Sequence, residues 1–205
     1  MKLMQQAHAD SLDALCANWL TKCEAKLNAN LRRKNFLKQT LQDCHLVLHD
    51  INLVKRLEKF TIYIAYDQNQ HIQGVAFTEK DRLHNATHIT YLTTSPDNIP
   101  IFPGEKKIQG VGTLLLLHII QDMFQAQRKG ITVKSLPSAI GFYEKCGFIL
   151  KKSHLVKRKA TKRSAAERVI LSDMDISIEG ALQFMEKHQQ ERLSLNKCTP
   201  NLKVL

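Results

Sequence analysis

A pair of glycines stands directly before the most apolar run of the chain, in the stretch "KKIQGVGTLLLLHII" over residues 106–120. The run predicts a helix that begins near Gly112, and the first N–H groups of a helix have no partners within it. They lie at the positive end of the helix dipole, where phosphate oxygens bind. Gly110 lacks the Cβ atom that would keep a phosphate away, and Lys106 and Lys107 add positive charge. The stretch predicts an anion cradle, with a plain glycine turn into a buried helix as the alternative.

A second motif follows one predicted strand later, in "SAIGFYEKCGF" over residues 138–148. The two motifs together resemble the GCN5-related N-acetyltransferase (GNAT) family. That family carries R/Q-x-x-G-x-G/A at the loop and A-x-x-F-Y-x-x-x-G-F further on. The matching residues are Lys107, Gly110 and Gly112 in the loop, then Ala139, Phe142, Tyr143, Gly147 and Phe148. The resemblance covers roughly residues 1–176.

The resemblance implies acetyl-CoA as the co-substrate and no metal. Main-chain amides of the loop would hold its pyrophosphate, and the strand before the loop would pair with its pantetheine arm. The residues implied in cofactor binding are Leu92, Thr93, Thr94, Lys107, Ile108, Gln109, Gly110, Val111, Gly112, Thr113, Ser138 and Tyr143. One departure from the family is Lys107, which stands where Arg or Gln is usual.

Three residues are implied in catalysis. The N–H of Leu92 would polarise the thioester carbonyl, and Tyr143 would donate a proton to the departing thiolate. Some family members carry a carboxylate base four residues before the pantetheine-binding stretch, and the same spacing here falls on His88, whose ordinary pKa suits a base at neutral pH. The other candidates for the base are Glu79, Asp81 and His84, or a chain of water molecules.

The elements that must position these residues follow from the spacing of apolar side chains. Apolar residues at helical spacing predict an amphipathic helix over residues 12–27, with Asp10 or Ser11 as its N-cap. A weaker helical pattern follows to about Leu48. A short first strand is expected at residues 2–6.

The rest of the chain alternates between strand and helix patterns. A hairpin and a third strand come first, then a strand–helix–strand crossover, a closing antiparallel pair and a C-terminal helix. The predicted strands cover residues 60–67, 72–79, 86–95, 131–136, 148–156 and 168–176. The predicted helices cover 113–130 and 178–193, and a short helix followed by a turn is predicted within 137–148. This order predicts an α+β fold with a mixed sheet. The resemblance implies the GNAT acyl-CoA N-acyltransferase fold, in which a mixed, mostly antiparallel central sheet is flanked by helices.

The charge of the chain bears on its partners. The 205 residues carry a formal net charge of +11, which indicates an anionic partner or a well-solvated basic surface. The densest basic segment is residues 157–168, a predicted loop between the last two strands. A basic rim disfavours a lysine-rich peptide as the amine acceptor and favours an acidic protein or an RNA-linked substrate.

The predicted organisation is a GNAT domain over residues 1–176, then a C-terminal helix and tail over 177–205. The sequence has no apolar run of about 18 residues, so no membrane span is expected. Its five cysteines are widely spaced and indicate reduced thiols in a cytoplasmic protein. The oligomeric state is left open, with a homodimer among the options.

The predicted function is N-acetyl transfer from acetyl-CoA to an amine by direct transfer in a ternary complex. The alternative is a catalytically weak or inactive GNAT-like module that binds an acidic protein or nucleic acid through its basic surface.

Overall fold

The computed structural model of the chain describes residues 2–29, 36–52, 59–99, 108–157, 168–194 and 203–204. The described helices are α1 (Lys2–Ala29), α2 (Phe36–Asn52), α3 (Val111–Gln125), α4 (Ile140–Lys145) and α5 (Ile178–Ser194). The described strands are β1 (Thr61–Tyr66), β2 (Ile72–Asp81), β3 (Ala86–Thr94), β4 (Gly130–Ser135), β5 (Ile149–Lys157), β6 (Arg168–Ser177) and β7 (Lys203–Val204).

These strands form one sheet in the order β5-β6-β4-β3-β2-β1-β7. The β1–β7, β4–β6 and β5–β6 pairs are antiparallel, whereas β3 and β4, which α3 connects, are parallel. A parallel pair requires such a crossover connection. The predicted α+β fold with a mixed, mostly antiparallel sheet is confirmed.

The ladder between β3 and β4 is short. It runs from the Thr87–Ile131 pair to the Ile89–Val133 pair, although β3 itself continues to Thr94. Strand β4 goes on pairing with β6 on its other side as far as Ser135. The end of β3, which includes Leu92, therefore lies outside the ladder with β4.

The chain divides into two compact units. The first comprises residues 1–77, 91–115 and 201–205. In its core, Trp19 and Cys23 of α1 and Leu48 of α2 cluster with Phe77 of β2. Phe77 also meets Tyr91 edge to face at 5.9 Å. The apolar face predicted for the first helix is the face that packs, because Trp19 and Cys23 belong to it.

The second unit comprises residues 78–90 and 116–200. Its fully buried side chains come from the later turns of α3 and from one face of β4 and β6, as alternation along a strand requires. They include Ile119, Met123, Ile131, Met174 and Ile176. The opposite face of these strands carries Thr132, Asp173 and Asp175, so this unit has one apolar and one polar sheet face.

The start of the chain corrects one prediction. Residues 2–6 are not a strand but the first turns of α1, which runs without interruption from Lys2 to Ala29. The predicted N-cap at Asp10 or Ser11 is also wrong, since both residues lie inside this helix. The preceding residues, "KLMQQAHA", are mostly good helix formers and contain no glycine or proline that would stop the helix.

The end of the chain follows its sequence pattern. Strands β5 and β6 form the predicted antiparallel pair, and α5 covers the predicted C-terminal helix. Most of the basic segment 157–168 lies outside the described residues. The proposed domain boundary after residue 176 stays a prediction. Among the described helices, none is long and apolar enough to cross a membrane.

Candidate functional site

The glycine loop has the geometry of an anion-binding helix start. Helix α3 begins at Val111, and the amide of Leu114 donates to the carbonyl of Gly110 at 2.9 Å. The amides of residues 111–113 precede this bond and so belong to the unpartnered first turn. Gly110 has φ +78°, and a Cβ atom there would meet no atom of the described residues within 4 Å. The main chain is therefore open on the side where a side chain would otherwise stand.

The other loop residues differ in their exposure and in whether their amides already have a partner. Gln109 is exposed, and Gly112 and Thr113 are partly buried. The amide of Ile108 donates to Asn98 Oδ1 at 3.0 Å, so this N–H is already engaged. Lys107 lies outside the described residues. Of these loop amides, that of Ile108 is therefore not available to an anion.

The end of β3 adjoins this loop within the first unit. Gly74 of β2 lies between them: an ideal Cβ there would stand 2.6 Å from Val111 Cγ1 and 3.3 Å from the carbonyl oxygen of Thr93. Leu92 and Thr94 are partly exposed, whereas the side chain of Thr93 is buried. Any contact of Thr93 with a ligand must therefore come from its main chain.

We expect Gly74→Ala to destabilise the first unit, because the added methyl group would overlap Val111 in the first turn of α3. Overpacking of this kind costs about 1–3 kcal/mol. Denaturant unfolding of the variant checks the expectation. Gly141→Ala is the matched control, since a Cβ at Gly141 meets nothing within 4 Å. Equal stability of the two variants would contradict the argument.

Two thiols from α1 and α2 pack against the buried side chain of Thr93, near the end of β3. The Cys23 thiol of α1 donates to Cys44 Sγ of α2 at 3.7 Å. Cys44 Sγ lies 3.4 Å from Thr93 Oγ1. The hydrogen bond from Cys23 lowers the pKa of Cys44, and the same contact raises the pKa of Cys23. Among the described residues, Cys23, Cys44 and Cys146 are free thiols.

His88 lies on the polar sheet face of the second unit. It pairs in register with Thr132, and its Nδ1 lies 2.9 Å from Thr132 Oγ1. Burial lowers the pKa of His88 below its ordinary value of 6.5, because the charged imidazolium loses solvation. The ring is therefore neutral at neutral pH and able to accept a proton.

A groove of about 910 Å³ opens beside His88, wholly within the second unit. This volume is within the range of small-molecule sites. Its lining includes Glu79, Lys134, Asp173 and Asp175. Asp175 pairs with Lys151 at 3.3 Å. Because the groove carries both signs of charge, its lining alone does not favour an anionic over a cationic ligand.

The alternative bases also line this groove. Asp81 and His84 are bound to each other at 2.7 Å in the turn after β2, and His84 is largely exposed. The bond to His84 lowers the pKa of Asp81, so this carboxylate is a weak base. Glu79 accepts a hydrogen bond from Thr90 at 3.4 Å. His88, in contrast, is kept neutral by burial and can accept a proton at neutral pH.

Tyr143 is on α4, as the motif predicts, and its ring is buried between aromatic neighbours. Phe142 and Phe148 each lie 5.1 Å from it, centroid to centroid. Burial raises the pKa of Tyr143 above its ordinary value. The phenol therefore keeps its proton throughout the neutral range. Ser138, in the 3₁₀ turn just before α4, is partly buried.

Cys146 lies in the same motif. Burial raises the pKa of its thiol to about 12. A cysteine nucleophile acts as the thiolate, so Cys146 is unsuited to carry an acetyl group covalently. Among the described residues, no group of three His, Cys, Asp or Glu side chains could hold a metal ion.

The structure adds two residues that sequence reasoning missed. Thr132 supports His88, and Asn98 holds the amide that enters the glycine loop. Thr132 could have been found from the register of β3 against β4, but the sequence does not give that register. Asn98 lies in the proline-rich stretch "PDNIPIFPGE", whose sequence predicts only an interruption of regular structure.

Known proteins place the chain in a family. The family model described as an acetyltransferase (GNAT) domain matches residues 35–161, more than half of the chain. Among curated proteins, none matches the sequence significantly.

Several solved structures are similar to this chain, and the first of those described here shares its fold. A GCN5-related N-acetyltransferase from Rhodopseudomonas palustris superposes with a TM-score of 0.52 at 19% identity, over 79% of this chain and 89% of its own. A putative streptothricin acetyltransferase from Bacillus anthracis, solved with acetyl coenzyme A, gives 0.45 at 23% identity, over 58% and 62%. A Bacillus subtilis acetyltransferase, solved with CoA, gives 0.45 at 18%, over 62% and 82%.

The chain thus spans less than two thirds of the length of the B. anthracis protein. The family-model match is consistent with the two sequence motifs at the loop and α4. It is also consistent with the mixed sheet. The chain belongs to the GNAT family of acetyltransferases.

Proposed function

We propose that this protein transfers the acetyl group of acetyl-CoA to an amine, directly and within a ternary complex. The observation that carries the proposal is the glycine loop. Gly110, with φ +78°, leads into the first amides of α3, which have no partner within the helix. Such a site binds the oxygens of a phosphate or diphosphate. The residues from Gly110 to Thr113 fit the pyrophosphate of CoA.

The end of β3 is assigned to the pantetheine arm. Leu92–Thr94 continue β3 beyond its ladder with β4, and free strand amides can pair with an extended ligand as an added strand would. The N–H of Leu92 is assigned to the thioester oxygen, where a donor stabilises developing negative charge. Thr93 is limited to main-chain contacts because Cys44 covers its side chain.

Acid and base are assigned to the second unit. The acetyl group arrives as a thioester, which the amine attacks with loss of a proton while the thiolate leaves and gains one. His88 takes the proton from the amine through Nε2, with Nδ1–H donating to Thr132 Oγ1. Tyr143 donates to the thiolate. The groove beside His88 is assigned to the acceptor.

Replacing His88 with Gln is expected to lower kcat by about 100-fold, in the range of general-base catalysis. In the wild type, kcat/KM should fall on the acid side with a midpoint below 6.5, because burial lowers the pKa of His88. The variant should lose this acid limb. His71→Gln, in the exposed turn between β1 and β2, is the control and should keep it. An unchanged acid limb in the His88 variant would move the role to another group.

The same pKa shift affects stability. The unfolded chain takes up the proton of His88 near pH 6.5, and the folded chain takes it up at a lower pH. Stability should therefore fall as the pH drops below about 6.5 toward the folded pKa. Urea unfolding at several pH values should show a smaller fall for His88→Gln than for the wild type.

The experiment that tests the proposed function has two parts. Calorimetry measures CoA binding, and release of the CoA thiol is followed with acetyl-CoA and a panel of monoamines, diamines, amino acids, acidic peptides and aminoacyl-tRNA. Binding together with acceptor-dependent release supports an acetyltransferase. No CoA binding at millimolar concentration would contradict it and favour the alternative of a binding module.

A further inference from the structure

We propose that Asn98 is a positioning residue that holds the glycine loop in the conformation that binds pyrophosphate. The inference rests on the proposed function, since it concerns the grip of the loop on CoA. The oxygen and the nitrogen of the Asn98 side-chain amide both form hydrogen bonds. Oδ1 accepts from the amide of Ile108 at 3.0 Å, and Nδ2 donates to Gln73 Oε1 at 3.2 Å. One side chain thus ties the entry of the loop to strand β2.

The turn that carries Asn98 is itself held on both sides. It is a 3₁₀ turn over Pro96–Asn98, which Ser95 caps by accepting from the amide of Asp97 at 3.3 Å. Lys26 of α1 donates to the carbonyls of Pro96 and Ile99, at 3.0 Å each. Lys22 forms an ion pair with Asp97. The anchor point of Asn98 is therefore set by α1 as well as by β2.

The glycine loop is then held at two points. Asn98 holds Ile108 before the glycine, and Val111 after it packs so closely to Gly74 that a Cβ atom there would stand 2.6 Å from Val111 Cγ1. Gly110 lies between these points with φ +78°, a conformation that a free chain visits only in part. By holding the free loop in this conformation, Asn98 reduces the conformational entropy that the loop loses when it binds an anion.

Asn98→Ala should raise the KM for acetyl-CoA by about tenfold and leave kcat within twofold, since the part-buried hydrogen bonds to Ile108 and Gln73 and the ordering that they give are lost. A donor without pyrophosphate separates this role from general damage. With S-acetylpantetheine, which has the thioester but no diphosphate, the variant and the wild type should have equal kcat/KM. Gln73→Ala removes the anchor of Asn98 and should raise the KM for acetyl-CoA in the same donor-dependent way, by less.

Asn69→Ala is the control, because Asn69 lies in the exposed β1–β2 turn and contacts Asp67 through its main-chain amide. Thermal unfolding of each variant establishes that it is folded. A KM for acetyl-CoA that does not change in Asn98→Ala overturns the inference while the proposed function stands. The inference is also overturned if Asn98→Ala loses as much kcat/KM with S-acetylpantetheine as with acetyl-CoA. A wild-type protein that binds no CoA overturns both.

Discussion

Gly110→Val is expected to weaken the binding of CoA by about 100-fold or more and to leave the chain folded. A left-handed backbone costs a residue with a Cβ atom about 1–2 kcal/mol, and more for a branched one. Gly110 has φ +78°, so valine would either strain the loop or change its course. Its methyl groups would also enter the open space in front of the amides. Calorimetry with CoA measures the loss, and thermal unfolding measures the cost to the fold.

Gly141→Val is the matched control for this change. A Cβ atom at Gly141 also meets nothing within 4 Å, but Gly141 has no left-handed φ and lies in α4. Its variant should bind CoA as the wild type does. Gly110→Ala should fall between the wild type and Gly110→Val, since it adds the strain without the branch. Wild-type affinity in Gly110→Val would refute the assignment of the pyrophosphate to this loop.

Tyr143→Phe is expected to lower kcat by about 100-fold, the lower end of the effect of a positioned acid. The ring remains, so its contacts with Phe142 and Phe148 and the fold should be retained. The affinity for CoA should change by less than twofold, because the hydroxyl group acts on the leaving thiolate rather than on the diphosphate. Steady-state kinetics and calorimetry on the same preparation separate the two effects.

The control for this change is another buried tyrosine. Tyr63 of β1 is 5% exposed, and Tyr63→Phe likewise removes a single hydroxyl group. It should leave kcat unchanged. If Tyr143→Phe also turns over at the wild-type rate, then the thiolate leaves without help or takes its proton from water, and Tyr143 is a packing residue.

Local patterns were sufficient for most of the fold. The period-two stretches became β1 to β6, and the apolar run after Gly112 became α3, because burial of one face decides both. The start of the chain was different. The expected strand at residues 2–6 is absent, because the helix-forming residues of that segment continue α1.

The candidate site was predictable where main-chain geometry carries it. Gly110 has the left-handed conformation for which glycine is suited, and Tyr143 lies on the short helix of its motif. The supporting contacts were not predictable. Asn98 reaches the amide of Ile108 across ten residues, and Thr132 meets His88 through strand pairing, so both depend on tertiary structure rather than on spacing.

The bond between Asn98 and Ile108 also has a consequence for evolution. This hydrogen bond closes the chain between Asn98 and Ile108 into a ring. The start of α3 is therefore set by the positions of these two residues and not by how many residues lie between them. Closing a longer ring adds little entropic cost, because that cost grows only with the logarithm of length. Insertions or deletions between Asn98 and Ile108 should therefore leave the hold on the nucleotide largely unchanged.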